Sequence, residues 1–268
     1  MEHPSWTSED LDIEHPSPAR VYDYYLGGSH NFVVDRRMAR QAMELWPELP
    51  LIMQANRAFL RRSVRYLVRQ GITQFLDIGS GIPTEGNVHE VAQAASPQSR
   101  VVYVDIDPVA VAHSRAMLSR NPLADIIRAD LCDVTAILDD PQTRQLLDPS
   151  QPMGVLMVAM LHFVRDEADP ANIVARYRQM MAPGSYLVVS HATHEGRPDQ
   201  AGPHTELYQR AGAPLTMRSR LEVEALFDGF DLVPPGVVFL PLWRPDSPAD
   251  VDDHPEQFSG YAVVGRRQ

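Results

Sequence analysis

Residues 74–82, Gln-Phe-Leu-Asp-Ile-Gly-Ser-Gly-Ile, constrain the fold more than any other stretch of the chain. Phe75 to Ile78, apolar but for Asp77, has the length expected for a short buried strand. Gly79 and Gly81 clear side chains from the turn that follows, so that a ligand can approach its backbone. Thr84 to Asn87 offers a helix start, and Val88, Val91, Ala92 and Ala95 recur behind it at helical spacing. Strand, glycine turn and helix in this order make a cofactor-binding corner.

The rest of the chain repeats that unit. Arg100 to Asp105 reads as a β-branched strand ending on a carboxylate, and Asp107-Pro108 caps a helix running to about Leu118. A third strand spans residues 125–129, and residues 133–150 hold at most two short helical pieces. Met153 to Ala159 is continuously apolar, as in a strand covered on both faces. Asp169-Pro170 opens the next helix, and Ser185 to Ser190 makes a fifth strand. A loop and a short helix over 196–212, a capping-box helix start at Ser219-Arg-Leu-Glu222, and extended segments near 230–240 and 260–264 follow. The last segment is close enough to the C-terminus to insert between earlier strands.

This alternation predicts an α/β, Rossmann-like fold with a seven-stranded, mostly parallel, doubly wound sheet. Upstream, residues 1–18 read as a polar arm, Ser17-Pro18 as a helix start with Ser17 as N-cap, and residues 35–46 and 52–69 as helices. No repeat or linker divides the chain. One domain over 1–268 is expected, with 1–71 as arm and helical lid and 72–268 as core.

A formal charge of −11 argues against a broad phosphate-binding surface, so no nucleic-acid partner is expected. Cys132 is the only cysteine, which rules out an intrachain disulfide and a cysteine metal cluster. No run of about 18 apolar residues is present to span a bilayer, and residues 1–12 lack a basic start followed by an apolar stretch. A cytoplasmic protein with no membrane partner and no metal is the expectation.

In an open α/β sheet the ligand lies beyond the carboxyl ends of the strands, where strand order reverses. Asp77 to Gly81, Asp105, Asp130 and the residues around His162 would line that crevice. Asp105 follows Gly81 by 24 positions (105 − 81), near the roughly 20-residue offset at which an acid binds ribose hydroxyls. A dinucleotide fingerprint needs a third glycine where this chain has Thr84, and no Gly-Lys-Ser/Thr follows the turn as in a P-loop. Asp77, just before the turn, is poorly placed beside a pyrophosphate and suits a ligand with an ammonium group. A cationic nucleoside fits best.

Leu76-Asp-Ile-Gly-Ser-Gly81, Val104-Asp-Ile-Asp-Pro108 and Ala129-Asp-Leu131 resemble the successive motifs of class I S-adenosylmethionine-dependent methyltransferases. The strings Ala19-Arg-Val-Tyr-Asp-Tyr-Tyr-Leu-Gly-Gly-Ser-His-Asn-Phe32, Ile78-Gly-Ser-Gly-Ile-Pro-Thr-Glu-Gly-Asn-Val-His-Glu90 and Ser190-His-Ala-Thr193 resemble an actinobacterial family of such proteins over nearly the whole chain. The resemblance implies S-adenosyl-L-methionine as cofactor. It implies that Gly79, Ser80 and Gly81 let the backbone approach the methionine part, with Asp77 beside it. Asp105 would bind the ribose, Ile106 would pack on adenine, and Asp130 with the Leu131 backbone would read the adenine edge. Arg57 is the candidate clamp on the cofactor carboxylate, and residues 159–162 would border the transferable methyl.

The segment carrying Tyr22, Tyr25, Gly28 and Asn31 reads either as an aromatic-anchored helix with a glycine cap or as a lid over the ligand. Asn56 lies on the apolar stripe of its helix and needs partners there. His162, His191 and His30 are the candidate general bases, each also readable as a hydrogen-bonded structural residue. The chain lacks the Asn/Asp-Pro-Pro-aromatic motif of many amino-methylating enzymes, having Met160-Leu-His-Phe163 there. This leaves oxygen, or an amine needing little activation, on a small-molecule substrate. A non-catalytic S-adenosylmethionine-binding regulator is the alternative, and an NAD-dependent oxidoreductase is disfavoured by Thr84. Asp105→Ala is expected to weaken cofactor binding by about 1–3 kcal/mol through lost charged hydrogen bonds; unchanged calorimetric affinity in a folded variant would remove the ribose role.

Overall fold

The structure, a computed structural model, describes residues 12–251 and 253–268. Residues 1–11 of the expected N-terminal arm lie outside the described residues. Three helices come first: α1 (Pro18–Tyr25), α2 (Val33–Leu45) and α3 (Leu49–Arg69). In α3 the apolar stripe visible in the sequence is the buried face, carrying Ile52, Asn56, Phe59, Leu60, Val64 and Leu67.

The β-α series then runs β1 (Gln74–Ile78), α4 (Val88–Ala95), β2 (Arg100–Asp105), α5 (Pro108–Leu118) and β3 (Ala124–Arg128). Two short helices, α6 (Val134–Asp139) and α7 (Pro141–Leu146), precede β4 (Gly154–Val158), α8 (Pro170–Met180) and β5 (Tyr186–Ala192). After these come α9 (Pro198–Arg210), α10 (Arg220–Ala225), β6 (Phe230–Leu232), β7 (Val238–Phe239) and β8 (Gly260–Arg267). The sheet order is β3-β2-β1-β4-β5-β8-β6, with β7 also paired to β8. Strands β1 to β5 are mutually parallel, and β8 enters antiparallel between β5 and β6. The strand order reverses at β1 and β4, which places the ligand crevice at their carboxyl ends.

The sheet has eight strands rather than seven, because the extended segment near 230–240 divides into β6 and the two-residue β7. Helix α9 is longer than expected, because Pro203 lies inside it and reads in the sequence as a break. Ser17 occupies the N-cap of α1, but its side chain makes no capping bond; its backbone N–H donates to Asp35 Oδ1 instead, at 3.0 Å.

Alternation along the strands decides what faces the crevice. Phe75 packs in the layer of α3 with Phe59, Leu60, Val64 and Leu67, whereas Leu76 and Ile78 pack in the opposite layer with Ile173, Val174 and Tyr177 of α8. Asp77 therefore shares the α3 face with Phe75. The same alternation puts Val101, Tyr103 and Asp105 of β2 on that face. In β5 it separates Ser190, on the α3 face, from His191, on the other.

The N-terminal helices are tied to the core by one buried cation. Arg20, 3% exposed, donates through Nε to Asp35 Oδ2 at 2.9 Å and through Nη1 to Asp107 Oδ2 at 3.4 Å. Its Nη2 donates to the carbonyls of Asp12 and His15. Arg20→Ala would leave two buried carboxylates without their cation, a loss of roughly 3–5 kcal/mol. A urea unfolding midpoint unchanged from that of the parent chain would show that this tie carries no such load.

Candidate functional site

The turn after β1 is fastened to the end of β2. Gly79 and Ser80 donate their backbone N–H groups to the Val104 carbonyl at 2.8 and 3.1 Å, and Gly81 donates to Asp105 Oδ2 at 2.7 Å. Asp107 donates its backbone N–H to Asp105 Oδ1 at 2.8 Å, and its own carboxylate accepts from Val109 N–H to cap α5. Gly79 and Gly81 have φ of 71° and 69°, the left-handed region that side chains disfavour. A Cβ on Gly79 would collide with Met160 Sδ, while one on Gly81 would point into open space. Both glycines line the cavity.

Asp77, 4% exposed, sits beneath the turn. Burial pushes its carboxyl up to about 7, with Arg57 opposing and Asp105 adding to the rise. Asp105 is pushed up to about 6 by burial, with the N–H groups of Asp107 and Gly81 pulling it back. Two carboxyls in one desolvated corner favour a cationic ligand. Across from them Arg57 of α3 donates through Nη2 to the Gly86 carbonyl at 3.1 Å, while its buried Nε has no partner.

These groups line a cavity of about 550 Å³, in the range of pockets that bury a small ligand. Ile106 lines it with 59% of its surface exposed, an apolar shelf at the end of β2. Asp130 and Leu131 line it from the end of β3. Cys132 N–H donates to Asp130 Oδ1, and the Tyr177 hydroxyl donates to the Leu131 carbonyl, which holds this turn in place. At the end of β4, Ala159 has φ of 57°, unusual for a residue with a side chain, and lines the cavity with Met160.

A polar chain links that bend to the N-terminal helices. Ala159 N–H donates to Ser190 Oγ at 2.8 Å, Ser190 Oγ donates to Asn56 Oδ1 at 2.6 Å, and Asn56 Nδ2 donates to the Tyr22 hydroxyl at 2.9 Å. Asn56 is thus a satisfied buried amide that also lines the cavity. Of the expected lid residues, Tyr22 and Tyr25 reach the cavity, and Tyr25 shares a 3.1 Å hydroxyl contact with Tyr208 of α9. Gly28 and Asn31 do not line it. They close a turn around Asp23, whose carboxylate accepts from Asn31 Nδ2 and His30 N–H, and a Cβ on Gly28 would collide with that carboxylate.

The three candidate histidines part company. His30 has an exposed ring 4.1 Å from that of His113 and does not line the cavity. His191, on the far face of β5, is absent from the lining too; its Nδ1 meets the Ala192 carbonyl at 2.8 Å and its Nε2 meets Arg218 Nη1 at 2.9 Å. Because the guanidinium is a donor only, Nε2 accepts and the proton sits on Nδ1. His162 alone lines the cavity. Burial, then the neighbouring His191, Arg218 and His204, hold its ring well below the ordinary imidazole range.

Several lining residues escaped the sequence reading. Trp46 at the end of α2, Phe163, and His204 and Tyr208 of α9 form a row of rings, with centroids 5.6 Å apart for Trp46 and His204, 4.8 Å for His204 and Tyr208, and 6.2 Å for Tyr208 and Phe163. The spacing Ala201, His204, Tyr208 is the buried face of α9 and was available in the sequence, behind Pro203.

The residues present fit a sulfonium nucleoside bearing an amino-acid tail. The partnerless Arg57 Nε suits its carboxylate, Asp77 its ammonium, Asp105 its ribose and Ile106 its adenine. Doubly wound sheet and cationic-nucleoside crevice together define a class I S-adenosylmethionine-dependent methyltransferase. The chain belongs to the S-adenosyl methyltransferase family, whose model matches residues 4–268, and its cofactor is S-adenosyl-L-methionine. Two solved structures are similar over nearly their whole length. A DUF574 family protein from Streptomyces avermitilis MA-4680 is 38% identical, with a TM-score of 0.92 over 96% of this chain and 99% of its own. A proposed methyltransferase from Thermobifida fusca YX is 41% identical, with a TM-score of 0.92 over 98% of this chain and 99% of its own. The pyocyanin biosynthetic protein PhzM, 18% identical with a TM-score of 0.52 over 85% of this chain and 61% of its own, shares the fold alone. No functionally curated protein matches the chain.

The raised carboxyls set a pH dependence. Protonation of Asp77 and Asp105 stabilises the unliganded protein at low pH, and that contribution is lost as pH rises through about 6 and 7. A cationic cofactor favours the ionised forms, so its affinity is expected to rise over the same window. Calorimetry across that range should show this rise in the parent chain and a flatter profile in Asp77→Asn; an affinity independent of pH in both would contradict it.

Proposed function

We propose that the protein transfers a methyl group from S-adenosylmethionine to a small molecule, at oxygen or at an amine needing little activation. The observation that carries this reading is that one cavity joins two unlike halves. The charged half, at the ends of β1 to β3, suits the cofactor; the aromatic half, between α1, the end of α2 and α9, is walled by buried rings and is the part assigned to a second small molecule.

S-adenosylmethionine supplies a methyl on a sulfonium, whose displacement leaves a neutral thioether. The protein's share is alignment, exclusion of water and custody of one proton. Ala192 N–H donates to His162 Nδ1 at 3.3 Å, so the neutral ring carries its proton on Nε2. In this reading His162 donates a hydrogen bond to the acceptor and holds it in line. The proton released from the acceptor goes to His204, a cavity-lining ring whose Nδ1 is buried without a partner. Burial brings His204 down to about 4, so the free ring is neutral but a weak base, and it takes the proton only as the sulfonium charge disappears. The desolvated site carries one positive charge before transfer, on sulfur, and one after it, on imidazole; the move adds no net buried charge.

The test is transfer of labelled methyl from the cofactor into the low-molecular-mass fraction of a cell extract. Label in protein or nucleic acid instead would sink the reading, and cofactor binding with no transfer into any fraction would favour a regulator. His204→Gln is expected to slow transfer about 100-fold with cofactor affinity unchanged, the deficit shrinking at high pH as the acceptor ionises unaided.

A further inference from the structure

We propose that the acceptor is an uncharged, planar aromatic molecule. This rests on the methyl-transfer reading above and concerns the half of the cavity that the cofactor does not need. The shape of that half is set by rings. Trp46 and Tyr208 are 2% and 5% exposed and stand on either side of His204 in one continuous row, with Phe163 next and His162 beyond it at 4.5 Å between centroids. Ring faces and edges at these spacings offer a slot in which a flat π-system finds offset or edge contacts, worth more than its buried area alone. Leu215 and Met217 close the slot with apolar surface.

The charge of the occupant follows from what the walls omit. The charged residues lining the cavity are Arg57, Asp77, Asp105, Asp107, Asp130 and Arg165. Four of these are the cofactor groups, Asp107 is engaged by Arg20, and Arg165 is exposed to solvent. The lining residues of α1, α2 and α9 include no carboxylate, lysine or arginine. An acceptor carrying a carboxylate or ammonium would enter a desolvated slot with no counter-ion, the costly way to bury a charge. The polar groups there are neutral: the Tyr25 and Tyr208 hydroxyls, the Trp46 indole N–H, which is buried without a partner, and the ring nitrogens of His162 and His204.

Three probes that share one ring system test this: 1-naphthol, 1-naphthoate and 1-naphthylmethylammonium, titrated calorimetrically into protein saturated with S-adenosylhomocysteine. Naphthol is expected to bind about tenfold more tightly than either ion. Tyr208→Ala should weaken naphthol about tenfold without changing S-adenosylhomocysteine affinity. Met217→Arg, which places a cation at the slot, should reverse the preference toward naphthoate, and it keeps the test decisive if Tyr208→Ala fails to fold. An ion binding the parent protein as tightly as naphthol, or all three failing to bind while S-adenosylhomocysteine binds normally, would overturn the proposal. Failure of S-adenosylhomocysteine itself to bind would instead overturn the methyl-transfer reading, and this inference with it.

Discussion

The carboxylate of Asp105 is the point on which the site depends. It is 6% exposed, and each oxygen accepts one backbone N–H, from Gly81 on one side and Asp107 on the other. A buried carboxylate is tolerated only when hydrogen-bonded, so the turn after β1 and the start of α5 are both held where they satisfy it. From Asp107 the constraint passes to Arg20, and from Arg20 to Asp35 at the start of α2. The cofactor corner and the N-terminal helices are therefore set by one network of buried charge rather than by apolar packing alone.

The two halves of the cavity use burial in opposite ways. In the corner, desolvation raises two carboxyls toward neutrality, and the ligand's positive charge is what restores them. Among the rings of α9 and the end of β4, desolvation lowers two imidazoles and keeps them neutral. The junction between the halves is the bend at Ala159, held by Ser190, Asn56 and Tyr22. A residue kept in the left-handed region by its surroundings, lining the cavity where the two halves meet, fixes the local backbone closely.

Much of the corner was legible in the sequence because its chemistry is local. Gly79 and Gly81 announce a turn that side chains would block, Asp107-Pro108 announces a cap, and the distance from Gly81 to Asp105 reflects one turn of β-α-β. The slot was less legible because its parts come from distant elements. Trp46, His204 and Tyr208 are each ordinary apolar-face residues of their own helices, and only tertiary contact makes a row of them. Asn31 misled for the opposite reason: a polar residue beside glycines resembles a ligand contact, but Asp23 had already claimed it. His191 misled by one position, since the alternation of β5 puts Ser190, not its neighbour, on the α3 face, where it bonds Asn56 and the Ala159 bend.

The place of β8 bears on how the chain is made. Its antiparallel pairing with β5 spans Tyr186 to Ala192, and β6 reaches the sheet only through it. While a ribosome adds everything from Thr193 to Ser259, β5 is a bare edge whose backbone groups face water or another chain. Such an edge, apolar on both faces and closed only by a late, distant partner, makes folding slow and leaves the nascent protein exposed to misassociation. Closure of that edge by β8 is thus a step the chain completes late, after the strands that carry the cofactor corner have been made.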